Sequence, residues 1–308
     1  MCEYNMEEIF MEKKLFKRSL TFAMMIAVVF STIIASSFIK ANAAETEKAV
    51  TLIQGEKTSQ YDTVQEAVAA VSADNTQAVI TLNKDFEGAG AVVKKDQNIV
   101  FNLNGFTWTI NSLVGSSGTE TNGVQLLQGS TVTIENGTLT SKTAKLLIQN
   151  YCDLTIRNAT LSGQDNLTEI IVSNNNGSTV ITGNSTVQAA AGGIAFDSDK
   201  WGGYQGGNVT LEDGQVIGNV NATNGGKISL NGGTVTGDVI ASNYTYQGNE
   251  NTPANIVIDG ATIDGNVTAQ NIGNINISSG TVTGLVSSES ASPVAVTGCI
   301  PHSSRRKC

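Results

Sequence analysis

Val209-Thr-Leu211-Glu-Asp213-Gly214-Gln-Val216-Ile217-Gly218-Asn219-Val220 is answered 19 residues later by Ile228-Ser-Leu230-Asn-Gly232-Gly233-Thr-Val235-Thr236-Gly237-Asp238-Val239. The phrase returns at Ile256-Val-Ile258-Asp-Gly260-Ala261-Thr-Ile263-Asp264-Gly265-Asn266-Val267. It comes again, 19 residues after that, at Ile275-Asn-Ile277-Ser-Ser279-Gly280-Thr-Val282-Thr283-Gly284-Leu285-Val286. A fixed period of about 20 residues is the mark of a stack of like units. Within each unit, apolar residues at i and i+2 make a short alternating strand. A glycine or other small residue then turns the chain. A Thr-Val or Thr-Ile piece adds one inward residue, and Gly-x-Val adds another. One unit alone buries nothing. Stacked about 4.8 Å apart and paired in parallel, the units rest each inward Val, Ile or Leu on its counterpart, which stabilises by about 1.5–3 kcal/mol per fully buried side chain. The pattern predicts an all-β chain: a right-handed, single-stranded parallel β-helix, a solenoid of coils about 19–22 residues long.

The ends of the 308-residue chain read differently. Lys13, Lys14, Lys17 and Arg18 precede an apolar run over 20–39, and Ala41-Asn42-Ala43 follows with the small residues of a cleavage site. Residues 1–43 therefore read as a secretory signal peptide. The alternative, a transmembrane anchor, fits less well because the cleavage site follows at once. The acidic residues 1–10 match no n-region, so Met11 is the expected start. Secretion, with or without display on the cell surface, is the expected localisation, and the signal peptide is the expected contact with a membrane. At the other end, Cys299-Ile-Pro-His302-Ser-Ser-Arg-Arg-Lys-Cys308 breaks the register and reads as an irregular tail. Without residues 1–43 the chain holds 13 basic and 23 acidic residues. The repeats have no basic cluster, so nucleic acid is not an expected partner. Four cysteines, one of them (Cys152) in the repeats, make no disulfide framework.

Taken in order, 44–98 reads as an N-terminal cap and 99–298 as the β-helix. The cap is a strand at Ala49–Ile53, a helix over Tyr61–Val71 with Val64, Ala67, Val68 and Val71 as its apolar face, and a strand at Ala78–Leu82. Asp62 or Thr63 can cap the helix, with Gln65 or Glu66 in reach of its first turn. A solenoid needs such an end plug, since its first coil would otherwise expose core and unpaired edges. Clear coils begin at Val100, Thr131 and Asp153. A looser one at Thr179–Val187 either carries an inserted residue or turns Thr182 inward, and Val294–Gly298 fits one more. Insertions over 111–122, 190–207 and 241–254 break the rhythm and are expected to leave the stack as loops, where function on a rigid scaffold tends to lie.

Thr63-Val-Gln65-Glu66-Ala67, the phrase Asn102-Leu103-Asn104-Gly105 and the repeated Gly-Thr-Val or Ala-Thr-Ile turns carry a resemblance. Over residues 49–298 the chain resembles the right-handed parallel β-helix superfamily typified by pectate lyases. More narrowly it is similar to secreted adhesin-like β-helix proteins of Gram-positive bacteria. The resemblance implies a fold more than an activity, since this fold hosts many. Its lyases use acidic calcium ligands with a cationic base. Its hydrolases use an aspartate cluster with His and Arg or Lys nearby, and its esterases use paired aspartates with an arginine. Here the coils hold one arginine, Arg157, and no histidine; His302 lies in the tail. Arg157 has a simpler place, pointing outward beside Glu135 one coil earlier. No catalytic motif of the superfamily maps onto the chain, and a non-enzymatic role is expected.

The candidate site lies in the expected loops. Trp201 and Tyr204 occupy one, Tyr244 and Tyr246 the next, in a chain only 6% aromatic. Flat rings stack on sugar faces, and rings that fold back over a coil edge explain the same residues. Asp197 and Asp199 are spaced carboxylates of a kind that bind calcium, although two alone also suit a solvated loop. No other cofactor is suggested. An outward threonine column (Thr138, Thr160, Thr186, Thr234, Thr262, Thr281) invites an ice-binding reading. Gln215 interrupts it and a second column is broken, so β-propensity on an exposed face explains it better. The expected function is a non-catalytic adhesion protein contacting carbohydrate or a host surface. A polysaccharide-active enzyme and a pure spacer are the alternatives.

Overall fold

The computed structural model describes residues 47–163, 168–243, 252–289 and 291–298. The signal-peptide reading, Tyr244, Tyr246 and the irregular tail lie outside the described residues. Within them the chain is nearly all β, in a 17-stranded and a 10-stranded sheet, with one helix. No described helix is long and apolar enough to cross a membrane.

The pairing follows the repeat. Asp153–Gly163 lies parallel to Thr131–Ser141, with Ile134 opposite Ile156 and Leu139 opposite Leu161. Thr131–Ser141 in turn pairs in parallel with Asn98–Asn102 and Thr107–Ser112 of the preceding pass. Each pass also gives a strand to the smaller sheet, where Leu146–Asn150 lies between Thr119–Leu126 and Ile170–Asn174. These pairings are compatible with a β-helix. They align inward side chains into columns: Ile134, Ile156, Ile181, Leu211, Leu230, Ile258 and Ile277 succeed one another in register. All are at most 1% exposed. Parallel pairing begins one pass before the first coil read from sequence, because Gln77–Leu82 already pairs in parallel with Asn98–Asn102.

Ahead of it, Val50–Gln54 and Lys57–Tyr61 form an antiparallel pair, and Val64–Ala70 is the helix, α1. Of the two capping residues the sequence offers, Thr63 is the one used. Its hydroxyl accepts from the Glu66 N–H, and the Glu66 carboxylate accepts from the Thr63 N–H.

Two turns explain the small residues of the repeat. After the first strand of a pass the chain enters the left-handed region, with Asn104, Asn136 and Asn158 at φ 54°, 59° and 51°. Asn tolerates this conformation and its amide finds local partners: Asn104 Nδ2 donates to the Leu82 carbonyl at 3.1 Å. At the second turn, a Cβ on Gly237 would sit 2.3 Å from the Gly218 carbonyl oxygen of the pass below. The residue after each of these glycines also has a role. The side-chain oxygen of Asn219 accepts from the Asp238 N–H (3.0 Å), that of Asp238 from the Asn266 N–H (2.8 Å), and that of Asn266 from the Leu285 N–H (2.9 Å).

Several expectations need correction. Residues 190–207 are not wholly a loop: Ile194–Ser198 is a strand of the smaller sheet, with Phe196 opposite Val172 and 1% exposed. Residues 111–122 include Val114–Ser116, which pairs antiparallel with Thr119–Leu126. The 241–254 stretch opens inside the strand Val239–Ser242. In Ile194–Ser198 the inward Phe196, opposite Val172 of the preceding pass, holds the strand despite the Gly192-Gly193 before it. The looser coil carries an insertion: Thr179 and Ile181 point inward, and Thr182 pairs outward beside Arg157. Arg157 does meet Glu135, through Nε and Nη2 to Oε2. That pair is surface-exposed and contributes about 0.2–1 kcal/mol.

Candidate functional site

Asp197 and Asp199 lie on the outer face of the smaller sheet, and Trp201 and Tyr204 lie in the turn that follows them. Side chains alternate along Ile194–Ser198 and its extension, so Phe196 and Ser198 face the interior while Asp197 and Asp199 share the outer face. Asp197 lies between Ser173 of one neighbouring strand and Asn221 of the other. Its Oδ1 accepts from the Thr223 hydroxyl at 3.0 Å. Asp199 Oδ1 accepts from Asn175 Nδ2 at 2.7 Å, and Ser173 Oγ donates to Asn175 Oδ1 at 3.4 Å.

Neither carboxylate lies in a solvated loop, which overturns that explanation of the pair. Asp199 is 7% exposed and Asp197 is half-buried. Burial first, then the like charge of Asp199, push the Asp197 carboxyl up to about 7; the Thr223 hydrogen bond pulls the other way. Two carboxylates on one strand face, drawn out of water, resist carrying two negative charges.

The aromatic residues divide. Tyr204 folds back on Tyr151, with ring centroids 4.8 Å apart and planes tilted by 40°. The Tyr151 hydroxyl also accepts from Gln149 Nε2 at 3.0 Å. Trp201 starts the turn that closes with the Tyr204 N–H on its carbonyl at 3.2 Å, and its side chain is 52% exposed. The turn is tied to the sheet by the Gln205 N–H on Asn176 Oδ1 and the Gly207 N–H on the Asp199 carbonyl. The structure thus brings Asp197, Asp199, Trp201 and Tyr204 to one region.

Sequence reasoning missed the neutral polar residues around them. Asn175, Ser173 and Thr223 are each at most 5% exposed although they lie on the outer face. Beside them, Asn221 Oδ1, Ser242 Oγ and Asn243 Oδ1 are buried with no hydrogen-bond partner. The usable signal was the period itself: Ser173, Asp197 and Asn221 are 24 residues apart and in register, and none is apolar. Among the described residues no group of three or more His, Cys, Asp or Glu could hold a metal. An open depression of about 540 Å³ lies elsewhere, beside α1, where Lys48 and Asp62 form an ion pair at 2.6 Å. Cys152 is a buried free thiol whose pKa burial pushes up to about 12, which leaves it poorly nucleophilic.

No protein-family model, no curated protein and no solved structure matches the chain.

Proposed function

We propose that the protein is a secreted or surface-displayed binding protein of adhesin type. Its scaffold is a right-handed parallel β-helix capped by the strand pair and α1. It contacts carbohydrate, on a host surface or elsewhere, through the outer face of the smaller sheet. One observation carries this reading. An exposed indole, Trp201, opens the turn in which the Tyr204 ring packs on Tyr151, and the strand leading into that turn turns the half-buried Asp197 to its outer face. Aromatic faces cover the apolar face of a sugar ring, and fixed polar groups beside them take its hydroxyls.

The test is retention on a glycan array. The reading expects binding to at least one glycan class, reduced at least tenfold by Trp201→Ala with the circular dichroism spectrum unchanged. Retention that ignores Trp201 on every glycan would overturn it, and no retention at all would leave the spacer.

A second reading rests on Asp197. A carboxylic acid still protonated near neutrality beside an ionisable partner is a general acid in waiting, as a polysaccharide hydrolase requires. New reducing ends released from a polysaccharide and abolished by Asp197→Asn would establish that activity.

A further inference from the structure

The interior holds a polar column that runs only part of the way along the smaller sheet. In register order its inward positions at the strand ends are Leu126, Asn150, Asn174, Ser198, Ala222 and Ala241. All of them are at 0% exposure. The asparagines are joined. Asn150 Nδ2 donates to Asn174 Oδ1 at 2.6 Å, and the Thr179 hydroxyl donates to the same oxygen at 2.8 Å. Asn150 is engaged at both ends of its amide, since its Oδ1 accepts from the Cys152 N–H at 2.9 Å. Asn174 is engaged on its oxygen. Among the described residues its Nδ2 has no hydrogen-bond partner, and neither has Ser198 Oγ, the next side chain in the column. That nitrogen faces the pass of Ser198: a Cβ on Gly207 would lie 2.4 Å from it.

The column itself says what fits between the two. One pass earlier an amide nitrogen meets an amide oxygen across the strand spacing. Serine is shorter than asparagine, so its hydroxyl stops short of the place that an amide oxygen would hold. A group at that place must accept from the Asn174 amide and exchange a hydrogen bond with a hydroxyl. Water does both, and about two to four polar partners hold a water inside a protein. An anion would also accept from the amide. The side chains of this column are neutral, however, and an ion loses far more hydration on burial than a water does.

We propose that Asn174 Nδ2 and Ser198 Oγ bind one water molecule in the interior, which stands in for the amide of a further asparagine and carries the hydrogen-bonded column into the next pass. The site joins Leu146–Asn150, Ile170–Asn174 and Ile194–Ser198 from the inside. A satisfied polar network of this kind fixes which pass lies on which, a choice that like apolar rungs leave open. It does not depend on sugar recognition.

The test is the crystal structure of the full chain at atomic resolution, with Ser198→Asn and Ser198→Ala alongside. The expected density is a single water about 2.7–3.2 Å from both atoms. In Ser198→Asn the introduced amide oxygen takes that place, and magnetic relaxation dispersion of the solvent oxygen counts one long-lived water fewer per chain. The thermal midpoint of that variant equals or exceeds that of the wild type. Ser198→Ala leaves the water with one side-chain partner and lowers the midpoint. The wild-type crystal decides even where a variant fails to fold. Absence of density between the two atoms overturns the site, as does a direct bond from Asn174 Nδ2 to a protein atom. Density that exchanges for bromide in a soak, located by anomalous scattering, would make the ligand an anion and overturn it equally. So would a Ser198→Ala protein as stable as the wild type, because removing a hydroxyl that holds nothing is neutral or favourable.

Discussion

At the level of single residues, the protein depends on groups whose place is fixed by a neighbouring pass. Gly237 is such a residue: φ is +151° and an added Cβ would meet the Gly218 carbonyl oxygen at 2.3 Å. Gly237→Ala is expected to cost about 1–3 kcal/mol, measured as a drop in denaturation midpoint. Asp197 is another. Its folded pKa of about 7 lies above the unfolded value of 3.8, so the folded state binds the extra proton between them. The stability this contributes is fully present below about pH 4 and is lost as pH rises through 7. In cation-free buffer the thermal midpoint should fall from pH 5 to pH 8 more in the wild type than in Asp197→Asn. Asp259 acts in the opposite sense: hydrogen bonds from Ser278 and Ser279 lower its pKa. That contribution is present above about pH 4 and fades below it, outside the window in which Asp197 titrates. An equal pH slope in wild type and Asp197→Asn would remove Asp197 from the account.

At the level of strands and turns, reading the sequence succeeded where apolar residues repeat and failed where one residue does the holding. Ile134, Ile156 and Ile258 announce their strands by alternation, and the structure places each in the inner column. Ile194–Ser198 is hidden because Gly192-Gly193 precedes it and its own end runs into Asp197-Ser198-Asp199-Lys200, a composition that reads as loop. Phe196 is what seats it, between Val172 and Val220. Phe196→Ala should therefore cost about 3–5 kcal/mol, while Trp201→Ala, 52% exposed, should change stability by less than about 0.5 kcal/mol. Equal effects in chemical denaturation would mean that this strand is not held by its inward ring. The site was half legible for the same reason. Asp197, Asp199, Trp201 and Tyr204 stand out by type. Asn175, Asn221, Thr223 and Ser242 are ordinary turn and strand residues until register sets them side by side. Asn150 and Asn174 escaped notice too. They continue the inward column from Leu126, bonded to each other at 2.6 Å and to Thr179, and periodicity marks such positions as apolar.

At the level of the whole molecule, successive passes touch mainly their immediate neighbours, so stability should accumulate by nearest-neighbour contact. Removing one unit in phase tests this. Deleting residues 209–227 joins Asn208 to Ile228, so that Gly206–Asn208 runs on into Ile228–Leu230, and the Asn176–Thr182 strand meets that joined strand in the register it already uses for Gly206–Leu211. The shortened chain should keep its β circular dichroism per residue and unfold cooperatively. A deletion three residues out of phase should not, since a frame shift carries inward residues to the outer face.

The Asn219–Asp238–Asn266 hydrogen bonds all run one way: each pass offers an oxygen, and the pass that follows supplies the N–H. A ribosome delivers these segments in that same sequence, amino end first. The newest segment to emerge thus finds its acceptor already waiting, and growth can proceed like courses of brick laid on a bed of set mortar. If the carboxylate or amide at each of these corners serves as a locating peg during assembly, Asp238→Ala should lower the refolding rate in a stopped-flow denaturant jump by a larger factor than it raises the unfolding rate.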